Sequence, residues 1–256
     1  MKKERKDYIL EKINNENKVK ASDIVKEFNV TMETVRRDLE EMESQGLLRK
    51  VYGGAIKGKV YGPEPSYSTR MISRLEEKRA IAEVTYQLIS EKEIVYIDGG
   101  TTTFEVAKKI SENNPEIVAV TNSLPVAEVL NAASNIQVVF LGGTLTKDDM
   151  VVTDVLNSNL IDIFHFHTTI LGAASISKSQ GVTDFTLSVT ALKRKIIEKS
   201  EKVIIVADHS KFNDMIQYVV AKYDEIDYLI TDKETSKEDI EICERAGINV
   251  LVGGEK

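Results

Sequence analysis

Past Leu75 the chain repeats one pattern: a short run of β-branched and aliphatic residues, then glycine and polar residues, then a stretch of helical periodicity. The apolar runs are Ile94 to Ile97, Ile117 to Val120, Val138 to Leu141, Ile163 to Leu171, Val203 to Ala207, Tyr228 to Ile230 and Val250 to Val252. Strands buried on both faces read as continuous apolar runs, and helices between them supply the crossovers that parallel pairing requires. The pattern predicts an α/β domain with an open, mostly parallel sheet. The runs end at Asp98-Gly99-Gly100-Thr101-Thr102-Thr103, at Thr121-Asn122-Ser123, at Gly142-Gly143-Thr144, at Gly172 and at Asp208-His209-Ser210-Lys211. Open α/β sheets bind ligands outside the carboxyl ends of their strands, so these loops converge on one predicted crevice.

Gly99 to Thr103 lies between a strand and a helix expected to begin near Phe104. Free backbone N–H groups and the positive end of that helix favour an anion, two glycines allow close approach, and three hydroxyls add donors. A phosphate suits such a loop; a tight turn with threonine caps fits the same residues. The string lacks the lysine of a Walker loop and is not Gly-x-Gly-x-x-Gly. Asp98 would repel a phosphate, so it reads as an acceptor for sugar hydroxyls or as an orienter of the loop. Thr121 and Asn122 offer further donors and acceptors, although Asn122 fits an ordinary post-strand turn as well. Lys193 and Lys211 can balance phosphate charge. Lys193 lies in Lys193-Arg194-Lys195, which reads equally as a solvated helix face.

The first 57 residues have another character. Tyr8, Ile9, Leu10 and Ile13 mark one helix, which runs out at Asn14-Asn15-Glu16-Asn17. Ser22 is expected to cap a second, whose Ile24, Val25 and Phe28 face inward, with Asn29 closing it in the left-handed region. Thr31 can cap a third, with Val35, Leu39 and Met42 inward and Met32, Glu33, Thr34, Arg36 and Arg37 outward. That is a helix-turn-helix, in which the second helix of the motif enters the major groove of DNA. After a C-cap signal at Gln45-Gly46, Leu47 to Tyr52 reads as a strand leading into a Gly53-Gly54 turn, a wing. There Arg49 and Lys50 would meet phosphates, while Arg36 or Arg37 would read guanine edges. Arg36-Arg37-Asp38 also fits a solvated face paired with Glu33, Glu40 and Glu41.

Charge agrees with a division. Residues 1–57 hold 13 Lys and Arg against 11 Asp and Glu, so the net −7 of the whole arises from −9 on the remainder. Gly58, Gly62, Pro63 and Pro65 punctuate a stretch without period, giving the expected organisation 1–57, linker 58–74 and 75–256. No apolar run approaches the ~18 residues needed to span a bilayer, and one cysteine cannot form an intrachain disulfide; both fit a cytoplasmic protein. His165 and His167 share a strand face without a third ligand, so no metal is expected, nor any cofactor.

Val30-Thr31-Met32-Glu33-Thr34-Val35-Arg36-Arg37-Asp38-Leu39, then Gly46-Leu47-Leu48-Arg49 and Gly53-Gly54-Ala55, resembles the winged helix of DeoR-type bacterial transcription regulators. The resemblance continues through Asp98 to Thr103, Thr121-Asn122, Gly142-Gly143, Gly181-Val182-Thr183, Lys193 and Asp208 to Phe212, which look like that family's effector domain. It implies a fold similar to ribose-phosphate isomerases and coenzyme A transferases, and sensing of a phosphorylated sugar. It further implies a homo-oligomer, dimer or tetramer, that represses a sugar-catabolic operon by binding double-stranded operator DNA, with no membrane partner. Three positions depart from the pattern: Tyr52 where a histidine is usual, His167 where an aspartate is expected, and Ser188-Val189-Thr190 where an acidic residue usually precedes the lysine. The alternative is a sugar-phosphate isomerase with an N-terminal docking domain, for which Asp98 and Asp208 are the available bases.

Overall fold

The computed structural model describes residues 2–16, 18–44, 47–56, 65–154, 159–212 and 216–254. The chain divides into two compact units, Met1–Pro65 and Ser66–Lys256. The Gln45-Gly46 cap signal and residues 58–64 of the expected linker lie outside the described residues.

In the first unit α1 (Lys2–Glu16), α2 (Ala21–Phe28) and α3 (Met32–Ser44) surround a core of Ile9, Ile13, Ile24, Val35, Leu39, Met42 and Leu48. Asn29 closes α2 at φ 48°, and Thr31 Oγ1 accepts from the Thr34 N–H at 3.2 Å to cap α3. The expected cap at Ser22 is not formed. The helix starts two residues earlier, at Ala21, Lys20 holds the cap position, and the Ser22 hydroxyl donates to Asp23. The wing strand is β2 (Arg49–Val51), shorter than expected, because Leu48 turns into the core. It pairs antiparallel with β3 (Gly54–Ile56) across Gly53, whose φ of +82° is the left-handed conformation that favours glycine. Reading the sequence missed β1 (Lys18–Lys20), on the other side of β3: three residues carry too little period to show. A Cβ on Gly54 would lie 2.1 Å from the Val19 carbonyl oxygen, so β1 and β3 meet only with glycine there. Asp38 also departs from the solvated-face reading. It is buried, with Oδ2 2.5 Å from the Arg5 guanidinium, and ties α3 to α1.

In the second unit all seven expected strands pair in parallel. They are β4 (Ile94–Ile97), β5 (Ile117–Thr121), β6 (Ile136–Phe140), β7 (Phe166–Gly172), β10 (Ser200–Val206), β12 (Tyr228–Asp232) and β13 (Asn249–Gly253). Their spatial order is β13-β12-β10-β7-β4-β5-β6. Strand β7 begins at Phe166; Ile163, expected within it, is exposed in a turn. Side chains alternate between two apolar layers. Val95, Ile97, Ile170, Ile204 and Val206 pack with Ile81, Val106, Ile110 and Leu130 from α5 (Leu75–Tyr86), α6 (Thr101–Asn113) and α7 (Leu124–Asn131). Tyr96, Leu171, Val203 and Ile205 pack with Leu192, Ile196 and Cys243 from α8 (Leu187–Ile197) and α9 (Lys237–Arg245). Both faces being covered is why the strands read as unbroken apolar runs.

Two features are additional. Residues 67–72, read as the end of a linker, form a helix, α4 (Tyr67–Ile72), capped by Ser66. A second sheet of β8 (Ser175–Ser177), β9 (Gly181–Asp184) and β11 (Tyr218–Ala221) pairs antiparallel in the order β11-β9-β8. Among the described residues no helix is long and apolar enough to cross a membrane.

Candidate functional site

The carboxyl ends of β4, β7 and β10 lie side by side in the sheet, so the segments that follow them are neighbours. Helix α6 begins at Thr101 rather than near Phe104, which places Thr101, Thr102 and Thr103 in its first turn. Gly100 caps the helix: its N–H donates to Thr103 Oγ1 at 2.7 Å, and that hydroxyl bonds back to the Gly100 carbonyl at 2.9 Å. The first N–H groups of a helix have no acceptor within it, so this turn presents donors at the positive end of the dipole. Gly99 is needed for packing. A Cβ there would fall 2.1 Å from Val151 Cγ1 and 3.2 Å from Ser123 Cβ.

Thr121, Asn122 and Ser123 are buried beside this turn. Both ends of the Asn122 amide are engaged: Oδ1 accepts from the Tyr96 hydroxyl, and Nδ2 donates to the Val152 carbonyl, each at 2.8 Å. The Thr121 hydroxyl accepts from the Ser123 N–H. Ser123 Oγ, fully buried, has no hydrogen-bond partner among the described residues. Gly142 and Gly143 follow β6; Gly143 holds φ +151°, and the next N–H, of Thr144, donates to Asp154 at 2.7 Å.

Lys193 is not on a solvated face. It is 5% exposed, and its Nζ lies 2.9 Å from Asp98 Oδ2 and 3.1 Å from Asp184 Oδ2, while donating to the Gly172 carbonyl at 3.0 Å. Burial presses the ammonium pKa down, but Asp98 and Asp184 outweigh it and the net shift is upward. Asp98 accepts in addition from the Gly172 N–H at 3.1 Å, which ties the end of β4 to that of β7. Besides Asp98, Lys193 pairs with Asp184 on β9, nine positions back, and the Ser188 to Thr190 stretch supplies no carboxylate. Thr190 is buried one turn before Lys193, its hydroxyl unpartnered among the described residues. His167 accepts from the Ile94 N–H through Nδ1 at 3.0 Å, and His165 meets Glu201 at 2.7 Å.

Lys211 lies in a 3₁₀ turn, His209–Lys211, initiated by Asp208, whose carboxylate accepts from the Ser210 N–H at 3.0 Å. Around it stand cations that sequence reasoning missed. Lys78 on α5 is 3% exposed, and its ammonium donates to the Arg70 carbonyl. Arg70 pairs with Asp149, and Arg74 Nε lies 3.7 Å from Asp208 Oδ1. Burial lowers the Lys78 pKa to about 8; Asp208 opposes the shift, while Lys211 and Arg70 reinforce it. Arg70 lies in the last turn of α4, Arg74 stands between the helices at φ 51° and Lys78 lies on α5, so the break between two helices, which the sequence did not show, sets their positions.

On the first unit, Thr31, Glu33, Arg36 and Arg37 are exposed, and Thr34, half-buried, shares a 2.9 Å hydrogen bond with Thr31. Arg36 Nε lies 3.4 Å from Glu40 and 3.7 Å from Glu33, and Arg37 Nε lies 3.5 Å from Glu33. Such exposed pairs contribute only ~0.2–1 kcal/mol each, so exchanging them for contacts to DNA costs little. Lys50 Nζ meets Glu40 at 2.7 Å beside them; Arg49 lies on β2.

The sequence-family model of the DeoR-like helix-turn-helix domain matches residues 5–59, and that of the DeoR C-terminal sensor domain matches residues 73–233. The chain belongs to the DeoR family of transcriptional regulators. Relatives match this DeoR-family regulator over nearly its full length. The HTH-type transcriptional regulator GlpR of Haloferax volcanii is 32% identical over 98% of this chain and 97% of its own. The HTH-type transcriptional repressor GlcR of Bacillus subtilis is 31% identical over 95% and 93%, and the glycerol-3-phosphate regulon repressor of Escherichia coli 30% identical over 90% of each. Among solved structures, ribose 5 phosphate isomerase A from Neisseria gonorrhoeae aligns at a TM-score of 0.40 and 22% identity, over 54% of this chain and 53% of that one.

Proposed function

We propose that this DeoR-family regulator represses a sugar-catabolic operon in the cytoplasm by binding double-stranded operator DNA as a homo-oligomer, dimer or tetramer. A phosphorylated sugar bound at the carboxyl ends of the sheet releases it. The observation that carries the reading is the start of α6, where the first N–H groups after Gly100 have no acceptor within the helix and buried Ser123 Oγ, unpartnered among the described residues, lies against Gly99. Repressors among the relatives, one of them of the glycerol-3-phosphate regulon, support the class of ligand. A ligand that binds the DNA-incompetent state more tightly than the competent one shifts the population between them, and its differential affinity sets the size of the shift.

Within this reading Gly99 to Thr103 hold the phosphate, Lys211 adds charge, and Thr121, Asn122, Gly142 and Gly143 shape the sugar side. Asp98 and Lys193 hold the ends of β4 and β7 in register. The protein does not turn its ligand over: Asp98, the base nearest the phosphate turn, is held by Lys193 and the Gly172 N–H. The test is a thermal-shift panel of sugar phosphates and their unphosphorylated partners, with recovered ligand assayed for conversion. A binder at 100 times its Kd adds about 2.7 kcal/mol. One phosphorylated sugar is expected to raise the midpoint, return unchanged and release operator DNA; converted ligand, or a response to the free sugar alone, overturns the reading.

A further inference from the structure

We propose that Arg5 is a positioning residue for base reading: through Asp38 it sets the rotation of α3 about its own axis, and with it the direction in which Arg36 and Arg37 leave that helix. The proposal rests on the operator-binding reading above and adds to it a buried residue that lies away from the DNA surface.

The inward face of α3 is apolar at Val35, Leu39 and Met42, all buried in the core of the first unit. Asp38 interrupts it. Its side chain and that of Arg5 on α1 are each more than nine-tenths buried, and Oδ2 lies 2.5 Å from Nε. Among the described residues neither has another ion-pair partner. Such a pair is a poor source of stability, because taking two charges out of water offsets most of their attraction, and apolar side chains of similar volume often serve as well or better. What it supplies is direction. Apolar contacts are non-directional and let a helix turn a little against its neighbours, whereas a guanidinium on a carboxylate holds one geometry. Lys6, the next residue of α1, meets Glu41, about one turn further along α3, at 2.7 Å, so the two helices are tied at two levels.

The other charged contacts of α3 do not set its rotation in the same way. Arg36 and Arg37 pair with Glu33 and Glu40 of their own helix, and those pairs turn with it. Lys50 fastens β2 to α3 by meeting Glu40 with its ammonium and Glu43 with its N–H, each at 2.7 Å. Glu40 is exposed on the side of Arg36, where DNA phosphates compete for the lysine, while the buried Arg5 keeps its partner. At about 3.6 residues per turn, Arg37 leaves the helix ~100° round from Asp38 and Arg36 ~200°. A rotation of about 20° carries a group at the ~5–6 Å outer radius of a helix through about 2 Å, enough to break a bidentate contact with a base.

The experiment compares Kd for two duplexes, one enriched by the full wild-type chain from a randomised library and one of scrambled sequence. The proteins are the wild type, the double variant Arg5→Met with Asp38→Leu, and Arg5→Lys. The double variant removes both charges together, so it is expected to unfold at or above the wild-type midpoint. Its discrimination between the duplexes should fall about 5- to 150-fold, the effect of losing one bidentate base contact. The loss should lie in the enriched duplex, with scrambled DNA bound within about threefold of wild type because phosphate contacts carry that binding. Arg5→Lys, which keeps the charge but exchanges a planar fork for a point charge, should fold like the wild type and lose a smaller part of the discrimination. Unchanged discrimination in the double variant, or equal losses on the two duplexes, overturns the assignment and leaves operator binding standing. If the double variant fails to fold, Arg5→Lys decides, and full discrimination there overturns the assignment too. If the wild type enriches no duplex, the operator reading falls with it.

Discussion

Lys193 on α8 reaches through the interior to Asp98 at the end of β4, and the two meet at 2.9 Å with both side chains buried. Asp184 joins them, so one ammonium stands between two carboxylates where the main sheet meets the smaller one. Removing the cation would leave uncompensated buried charge, which typically costs about 3–5 kcal/mol. Lys193→Met is therefore expected to lower the unfolding midpoint of the second unit steeply in urea, and Asp184→Asn, which leaves one carboxylate per ammonium, less so.

Lys78 couples stability to pH in the direction opposite to an ordinary ion-paired lysine. Its pKa falls from 10.5 to about 8 on folding, so the native state disfavours the proton that the unfolded chain carries. Between those values the unfolded state binds more protons, and stability from this group rises with pH. Without ligand, the wild type should gain on Lys78→Met between pH 8 and 10 in chemical unfolding; a parallel pair of curves would contradict this.

Gly99 has no room for a side chain. An alanine Cβ would fall on Val151, and such overpacking costs about 1–3 kcal/mol. Gly99→Ala is expected to displace the 150–152 segment and lose phosphate binding, while specific DNA affinity, carried by the first unit, stays within threefold or so. Gel-shift titration and calorimetry on one preparation check both halves.

Cys243 is buried, and burial pushes its thiol up to about 11 from 9.0. Since the thiolate is the nucleophile, the native protein should react with a disulfide reagent at pH 8 on the order of 100-fold more slowly than the unfolded chain.

Arg36 and Arg37 extend outward from α3 in weak pairs with Glu33 and Glu40. If either reads a base, its replacement by alanine should cost about 1–3 kcal/mol on operator and little on random DNA. Lys50→Ala should weaken both alike. Equal losses for the arginines on the two DNAs would assign them to phosphates.

The parallel sheet was legible because both of its faces are covered, which makes each of its seven strands an apolar run with a polar end. The winged helix was legible through Asn29, which closes α2 in the left-handed region, and Thr31, whose hydroxyl caps α3; both mark helix ends without help from the rest of the fold. Strands β1, β8, β9 and β11 were not, because three or four residues carry too little period, and β1 and β11 pair with strands far along the chain. The partners of charged side chains were equally hidden. Asp38 and Lys193 sit in charge-rich strings that read as solvated faces, and only the packing of α3 on α1 and of α8 beneath the sheet takes them out of water.

Local periodicity and turn chemistry act between near neighbours, so the chain alone determined the seven parallel strands, the helix-turn-helix and the order of these elements. Burial and ion pairing act between residues that only folding brings together. Tertiary structure therefore decided that Lys193 serves Asp98 and Asp184, that Arg74 meets Asp208 and that Arg70 meets Asp149.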